Sequence, residues 1–245
     1  CGTTWMQTIV ALLFSGDPEV ETELSVKMPW VDIRIREMSE VAARLEAMTK
    51  TLDVITIGRA GVDLYGSQIG GRLEDMGSFD KYIAGSPTNI ACGTARLGLK
   101  SGLITRVGDE HMGRFIREEL QREGVDVGGV KTDPDRLTAL VILGIRDQEQ
   151  FPLIFYRENC ADMALCEDDI DENYLASARA VVPTGTHLSN PRTEAAVIKA
   201  LKLARKHGLK TGLDIDYRPN LWGVAGHGDG ESRFVESAEV TAKLQ

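Results

Sequence analysis

Cysteine is scarce in this chain of 245 residues, and the four that occur form no recognisable metal-binding pattern. No C-x-x-C pair is present, and the four histidines lie far from the cysteines in the sequence. The ligand spacing of a structural zinc site is therefore absent, and we predict no metal site. We interpret the cysteines as reduced structural thiols of a cytoplasmic protein. They are Cys1, Cys92, Cys160 and Cys166.

Long hydrophobic runs and an excess of positive charge are lacking as well. No window of about 18 apolar residues occurs, which argues against a membrane-spanning helix. The apolar run at 9–14 is short and has no basic flank, so it does not resemble a signal peptide. The net charge of −9 disfavours nucleic acids and anionic membranes as partners. A hydrophobic content of 42% permits a sizeable core.

The pattern of apolar residues divides the chain near residue 50. Residues 1–50 contain one plausible short helix, at 39–48, and no other sustained period, so we interpret them as an N-terminal extension without function. From residue 51 to 245, strands alternate with helices. This alternation predicts an α/β domain with a mostly parallel sheet that is covered on both faces. Strands are predicted at 53–58, 101–108, 180–183 and 209–215, and helices at 85–98, 113–123, 190–208 and 231–244.

Two segments interrupt this alternation. Residues 137–145 and 151–156 are two strand candidates joined by a polar connection, which predicts a hairpin. Residues 65–84 are rich in glycine and show no helical period. We interpret both segments as excursions from the main sheet.

The stretch from Gly85 to Gly98 is the strongest candidate for a ligand site. A Gly-Ser-Pro turn leads into a short helix, and glycine lets the backbone approach a ligand because it has no Cβ. Asn89 then lies at a helix start beside unpaired backbone N–H groups, which suits a polyhydroxylated or anionic small molecule. The alternative is a glycine turn that packs the helix tightly onto the sheet.

Charged residues at predicted strand ends extend this candidate site. The Asp63 carboxylate can accept hydrogen bonds from two hydroxyls, or it can serve as a turn or cap residue. The Arg157 guanidinium can bind a substrate carboxylate through two hydrogen bonds, or it can form a surface ion pair with Glu158 or another neighbour.

A third charged cluster follows the strand predicted at 209–215. Period-two spacing places Asp214, Asp216 and Arg218 on one side of an extended segment, which favours a functional role over a plain connector. Ligands of open α/β sheets bind beyond the carboxyl ends of the strands. We therefore expect Asp63, Gly85, Gly108-Asp109 and Asp214 to converge there.

Several separated motifs together resemble the ribokinase-like (PfkB) carbohydrate kinases. They are Gly-Ser-Pro-Thr-Asn at 85–89, Val-Gly-Asp-Glu-His-Met-Gly at 107–113 and Asp-Ile-Asp-Tyr-Arg-Pro at 214–219. Together with Ile-Gly-Arg-Ala-Gly-Val-Asp-Leu-Tyr-Gly at 57–66, the last motif is most similar to the branch that acts on 5-dehydro-2-deoxygluconate in inositol catabolism. The resemblance covers about 52–245. It implies a three-layer α/β/α domain with a small β lid formed by 65–84 and 137–157.

The resemblance also implies ATP-dependent phosphorylation of a terminal hydroxyl of a sugar acid, with Mg²⁺. In such a kinase, Asp63, Gly85 and Asn89 hold the sugar, and Arg157 reaches from the lid toward the substrate. Asp214, Asp216 and Arg218 lie on the phosphate side, where fixed positive charge stabilises the transition state. Lid strands in this family often pair between subunits, which implies a homodimer through the lid.

The sequence departs from the family pattern in three respects. Many such kinases carry Asn where Asp216 stands, and this departure fits the branch named above. The Gly-Ala-Gly-Asp motif that supplies the catalytic base is not found, and neither is the Asn-x-x-Glu motif associated with Mg²⁺. Asp229, in a Gly-rich loop, lies too early to replace the base. We therefore expect the base and most of the ATP site to follow residue 245, so that this chain carries no catalytic residue of its own.

Three alternatives remain open from the sequence. The first is a different substrate, either 2-keto-3-deoxygluconate or the sugar of another PfkB kinase. Like 5-dehydro-2-deoxygluconate, 2-keto-3-deoxygluconate is a deoxy keto acid with a carboxylate that Arg157 can bind. The second alternative is that the chain is a sugar-acid-binding fragment without transfer chemistry. The third alternative is that the chain is a fragment that does not fold stably alone, because its sheet would leave an exposed edge.

Overall fold

The computed structural model describes residues 51–148, 150–226 and 235–244. The N-terminal extension with its predicted helix, Asp229 and the first part of the helix predicted at 231–244 lie outside the described residues. In the described part of that last segment, residues 235–237 are not helical and a helix begins at Ala238.

The main sheet consists, within the described ranges, of five strands in the order β5-β4-β1-β8-β9, all parallel. Its central strands are runs of buried β-branched and aliphatic residues, as expected for a sheet covered on both faces. The strands are β1 (Leu52–Ile57), β4 (Ser101–Gly108), β5 (Val130–Asp133), β8 (Ala178–Pro183) and β9 (Lys210–Thr211).

Helices cover both faces of this sheet. On one face, α1 (Ser86–Arg96) and α2 (His111–Arg122) pack through Ala91 and Ile116 against Leu103 of β4. On the other face, α3 (Glu172–Ala176) and α4 (Pro191–Lys206) pack against β1 and β8. The last helix is α5 (Ala238–Leu244). The domain is therefore a three-layer α/β/α structure, as the sequence predicts.

Local sequence accounts for where the long helices begin and end. The Glu110 carboxylate accepts hydrogen bonds from the backbone N–H groups of Met112 and Gly113 and so caps α2. Asn190 caps α4, and Pro191 follows in the first turn, where its missing N–H costs nothing. Gly98 ends the α1 region with φ of 92°, a conformation that favours glycine.

A second sheet contains the two segments that interrupt the alternation. Its described strands run in the order β3-β2-β6-β7, where β2 pairs antiparallel with β3 and parallel with β6, and β6 pairs antiparallel with β7. The predicted hairpin is confirmed as β6 and β7. The strands are β2 (Gly61–Gly66), β3 (Phe79–Ala84), β6 (Ala139–Leu143) and β7 (Leu153–Tyr156).

The structure corrects the sequence prediction at two places in this region. Residues 65–84 are predicted to belong to the β lid without individual strands being assigned, and β3 and the end of β2 lie there, because cross-strand pairing stabilises residues with little local propensity. Strand β5 was also not predicted, since only four residues take part. Asp63 does not follow a strand of the main sheet; it lies in the middle of β2, opposite Tyr82.

Three of the four cysteines lie in the described part of the chain. Cys92, Cys160 and Cys166 are free thiols, and the first two are buried. Within the described ranges, no helix combines the length and the hydropathy that crossing a membrane requires.

Candidate functional site

Two short links connect the second sheet to the α/β layers, and they meet at one point. Residues 58–60 join β1 to β2, and Gly85 alone joins β3 to α1. Gly85 has φ of 108°, and a Cβ built on it would lie 2.0 Å from the carbonyl oxygen of Arg59. That oxygen also accepts a hydrogen bond from Thr88 Oγ1 at 3.2 Å. The glycine therefore allows a close approach, as the sequence predicts, but the group that approaches is the backbone of residue 59.

Asp63 presents a buried acceptor to this region. Its Oδ1 is shielded from solvent and has no hydrogen-bond partner within the described part of the chain. Burial raises the pKa of the carboxyl group, whereas the nearby cations Arg59 and Arg218 act in the opposite direction. Asp63 thus lies near a residue of the 214–218 cluster, although about 150 residues separate the two in the sequence.

The 214–218 cluster departs from a regular extended backbone. The prediction of an extended segment is wrong at Asp216, whose φ is 33°. The side chains nevertheless lie together, since Arg218 Nη2 is 3.1 Å from Asp216 Oδ1 and both residues act electrostatically on Asp214. Ser86 Oγ, in the first turn of α1, donates a hydrogen bond to Asp214 Oδ2. Burial raises the pKa of Asp214, and the Ser86 hydrogen bond lowers it.

Asn89 lies one turn of α1 beyond Ser86. Its backbone N–H donates to the carbonyl of Gly85 at 2.9 Å. Residues three apart on a helix share a face, so Asn89 lies on the side of α1 that contacts Asp214. The start of α1 and the 214–218 cluster therefore lie next to each other.

Arg157 is deeply buried at the end of β7. Its Nη2 is 2.6 Å from Asp162 Oδ2, and its Nε donates to the same oxygen at 2.7 Å. Arg157 therefore forms an ion pair with a nearby residue, which was the alternative to binding a substrate carboxylate. The pair is buried rather than exposed, and its acidic partner is Asp162 rather than Glu158. Removing one member of such a pair leaves an unpaired buried charge.

Arg59 is a candidate site residue that the sequence reasoning missed. The residue is 8% exposed, and its Nε and Nη1 are buried without a hydrogen-bond partner in the described ranges. Burial lowers the pKa of the guanidinium, and Arg157 lowers it further, while Asp63 and Asp216 act in the opposite direction. A sequence signal existed, because an arginine stands between the small residues Gly58 and Ala60 directly after a buried strand.

His187 is a second residue that the sequence reasoning did not single out. It lies in a short 3-10 helix, Gly185–Ser189, that follows β8, and it is completely buried. Burial lowers the pKa of the imidazole to about 3, and the adjacent Arg157 cation contributes to the shift. The ring is therefore neutral at pH 7, and no sequence pattern distinguishes it from an ordinary loop histidine.

The assembled region combines cations, carboxylates and a helix start at the junction of the two sheets. It has acceptors for hydroxyl groups in Asp63 and donors for an anion in Arg59 and Arg218. Within 51–148, 150–226 and 235–244, no group of three or more Asp, Glu, His or Cys side chains is placed to hold a metal ion. The described residues therefore suit a polyhydroxylated anion and do not by themselves fit a metal.

Known proteins resemble this chain in sequence and in structure. The model of the pfkB family of carbohydrate kinases matches residues 51–226. A 5-dehydro-2-deoxygluconokinase from Geobacillus kaustophilus is 42% identical over 174 residues, which are 71% of this chain and 52% of the relative. The chain thus spans about half the length of the curated relatives it matches.

Two solved structures have a similar arrangement of elements. A PfkB protein from Polaromonas sp. JS666 has a TM-score of 0.66 and 36% identity, covering 70% of this chain and 58% of its own. A putative ribokinase II from E. coli in complex with ATP and Mg²⁺ has a TM-score of 0.67 and 25% identity, covering 79% and 58%. These matches confirm the ribokinase-like α/β fold. The family match covers well over half of the residues, and the chain belongs to the pfkB family of carbohydrate kinases.

Proposed function

We propose that this chain forms the sugar-binding part of a kinase that transfers phosphate from ATP to the terminal hydroxyl of 5-dehydro-2-deoxygluconate, in inositol catabolism. Family membership and the names of the curated relatives support this proposal. The observation that carries it is the half-buried Asp63 carboxylate, whose shielded Oδ1 has no hydrogen-bond partner among the described residues and which lies near two cations. Sugar hydroxyls supply the donors that such an acceptor requires.

The residues act in this proposal by binding and by excluding water. Asp63 accepts hydrogen bonds from sugar hydroxyls, while Gly85 and Asn89 form the wall at the start of α1. Arg157, held by Asp162, contributes positive potential to the side facing the second sheet. The second sheet then acts as the lid, because an enclosed site strengthens each of these polar contacts.

The cluster of Asp214, Asp216 and Arg218 lies toward the phosphate side in this arrangement. Arg218 is about half-exposed, so its charge can face a transferred phosphoryl group. ATP supplies that group, as the ATP complex of the E. coli relative suggests. Mg²⁺ accompanies ATP in the same complex, but we assign it no residue of the described ranges and derive no step through it.

Calorimetry and a coupled ATP assay test the function together. We expect the chain to bind 5-dehydro-2-deoxygluconate more tightly than ribose or fructose, and Asp63→Asn to weaken that binding about 10- to 100-fold, as expected when a hydrogen bond to a charged group is lost. The protein that carries this chain should consume ATP with the same substrate preference. Equal turnover of ribose would contradict the proposed branch, and stronger binding of 2-keto-3-deoxygluconate would favour the alternative sugar acid. Binding without ATP consumption would support a sugar-binding fragment.

We also propose that two copies of the chain pair through the second sheet. Its outer strands β3 and β7 carry exposed aromatic side chains, with Tyr82 at 55% and Tyr156 at 53% exposure. Aromatic residues at an unpaired sheet edge favour association. The molar mass in solution by light scattering tests this interface.

A further inference from the structure

We propose that Arg59, rather than Arg157, binds the carboxylate of the sugar acid. This inference rests on the proposed function, because it names the part of that site which recognises the acid group. It also revises the sequence-based assignment of Arg157 to the same role.

The first argument is the state of the two guanidinium groups. Arg157 and Asp162 form a close buried ion pair, so the charge of Arg157 is matched, although Arg157 Nη2 and Asp162 Oδ1 are also buried without a hydrogen-bond partner. Arg59 forms no ion pair within the described ranges, and its Nε and Nη1 are both shielded from solvent without a partner. A buried cation with unsatisfied donors is unfavourable, so it calls for a ligand that completes its hydrogen bonds.

The second argument is the distribution of charge around Arg59. Arg157 is matched by Asp162, and Arg218 is matched by Asp216. These pairings leave Arg59 with open donors and Asp63 with an open acceptor, and each affects the pKa of the other. The two are close enough to interact electrostatically, yet no hydrogen bond joins them. A ligand that carries a carboxylate and hydroxyl groups on one short carbon chain satisfies both residues at once.

The third argument is that Arg59 is held in place before any ligand arrives. Its carbonyl oxygen is fixed by Thr88 and by the close approach of Gly85. Its guanidinium carbon lies 5.8 Å from the centre of the Phe155 ring. Contacts at both ends of the side chain reduce the entropy that an anion must overcome on binding.

The geometry makes Arg59 a specificity residue for acids over neutral sugars. A neutral sugar satisfies Asp63 but leaves the Arg59 donors unpaired. Sites whose buried polar groups are left unpaired reject the ligand that lacks the matching group. We therefore expect Arg59 to affect the affinity for sugar acids far more than the affinity for the corresponding alcohols.

The test compares gluconate and 5-dehydro-2-deoxygluconate with sorbitol, which has an alcohol in place of the carboxylate of gluconate. Binding to the 245-residue chain is measured by calorimetry for the unmodified protein and for Arg59→Met, Arg59→Lys and Arg179→Met. Arg179 is the matched control, because it is an arginine at the opposite end of the main sheet, beside Asp53. We expect Arg59→Met to weaken acid binding about 10- to 100-fold and to leave sorbitol binding unchanged. Arg59→Lys should retain part of the acid preference, and Arg179→Met should retain all of it.

The outcomes separate this inference from the proposed function. Unchanged acid affinity in Arg59→Met overturns the role of Arg59 while leaving sugar-acid binding intact. Failure of the unmodified chain to bind either acid overturns the proposed function and the inference together. Thermal unfolding shows whether a loss of binding results from a loss of folding. Because Arg59→Met removes an unpaired buried charge, the melting temperature of this variant should equal or exceed that of the unmodified chain. If Arg59→Met does not fold, binding to the Arg59→Lys variant is the test of the inference. An unchanged preference of Arg59→Lys for gluconate over sorbitol would contradict the role of Arg59.

Discussion

Replacing Gly85 by alanine adds a methyl group where the backbone of residue 59 already lies. The new Cβ would be 2.0 Å from the carbonyl oxygen of Arg59 and 2.9 Å from its carbonyl carbon. Neither atom belongs to a flexible side chain, so the two links must move apart. The φ of 108° adds a second cost, because residues with a Cβ rarely adopt it.

These two effects give the expected magnitude. Backbone strain of this kind costs about 1–3 kcal/mol. Overpacking in a closely packed region adds about 1–3 kcal/mol. We therefore expect Gly85→Ala to lower the free energy of unfolding by about 2–6 kcal/mol, which is a large part of the stability of an ordinary domain.

Gly98→Ala is a matched control for the steric part. Gly98 has a similar φ of 92°, but no atom lies within 4 Å of its added Cβ. Only the strain remains, so this variant should lose about 1–3 kcal/mol. Urea unfolding followed by circular dichroism measures both variants. Equal losses in the two variants would refute the close contact between Gly85 and Arg59.

Two further predictions concern the buried groups near the site. Because the pKa of His187 is about 3 in the folded chain, the unfolded chain binds a proton below about pH 6.5 that the folded chain does not. The free energy of unfolding should therefore fall by up to about 1.4 kcal/mol per pH unit as the pH drops below 6.5. His187→Gln should flatten this slope between pH 7 and pH 5 in urea titrations, and an unchanged slope in the variant would contradict the burial of a neutral ring. Arg157→Met should cost about 3–5 kcal/mol, because it leaves the Asp162 charge unpaired, and Arg157→Met combined with Asp162→Leu should cost less than the single change. Strictly additive losses in the double variant would argue against the pair.

The main sheet could be predicted because its strands are locally distinct. Buried runs such as Leu52–Ile57 and Ser101–Gly108 consist of apolar and β-branched residues and end at glycine. The cap at Asn190 and the positive φ at Gly98 follow from the residue types alone. In each case the information lies within a few neighbouring residues.

The second sheet could not be predicted with equal detail, because long-range pairing forms it. Strand β3 is largely exposed, and its residues have no clear alternation. Its pairing with β2, and the parallel pairing of β2 with β6, join segments that lie far apart in the sequence. The position of Asp63 within β2 therefore emerged only from the structure.

The candidate site shows the same division. The Gly85 turn followed from residue type, and the grouping of Asp214, Asp216 and Arg218 was expected from their spacing, although the extended backbone behind that expectation is absent at Asp216. The pairing of Arg157 with Asp162 and the unpartnered state of Arg59 depend on which side chains meet in three dimensions. A single sequence indicates which residues are able to carry charge into a site, but the structure determines which charges remain unpaired.

The contact between the two short links has a mechanical consequence. The segment after β1 and the segment before α1 touch at Arg59 and Gly85, so the outer ends of β2 and β3 are held together at the base of the second sheet. Val62 of β2 and Ile83 of β3 also pack into the core that contains Ala91 of α1. Any displacement of the second sheet relative to α1 must therefore carry the Arg59 backbone with it or break its hydrogen bond with Thr88.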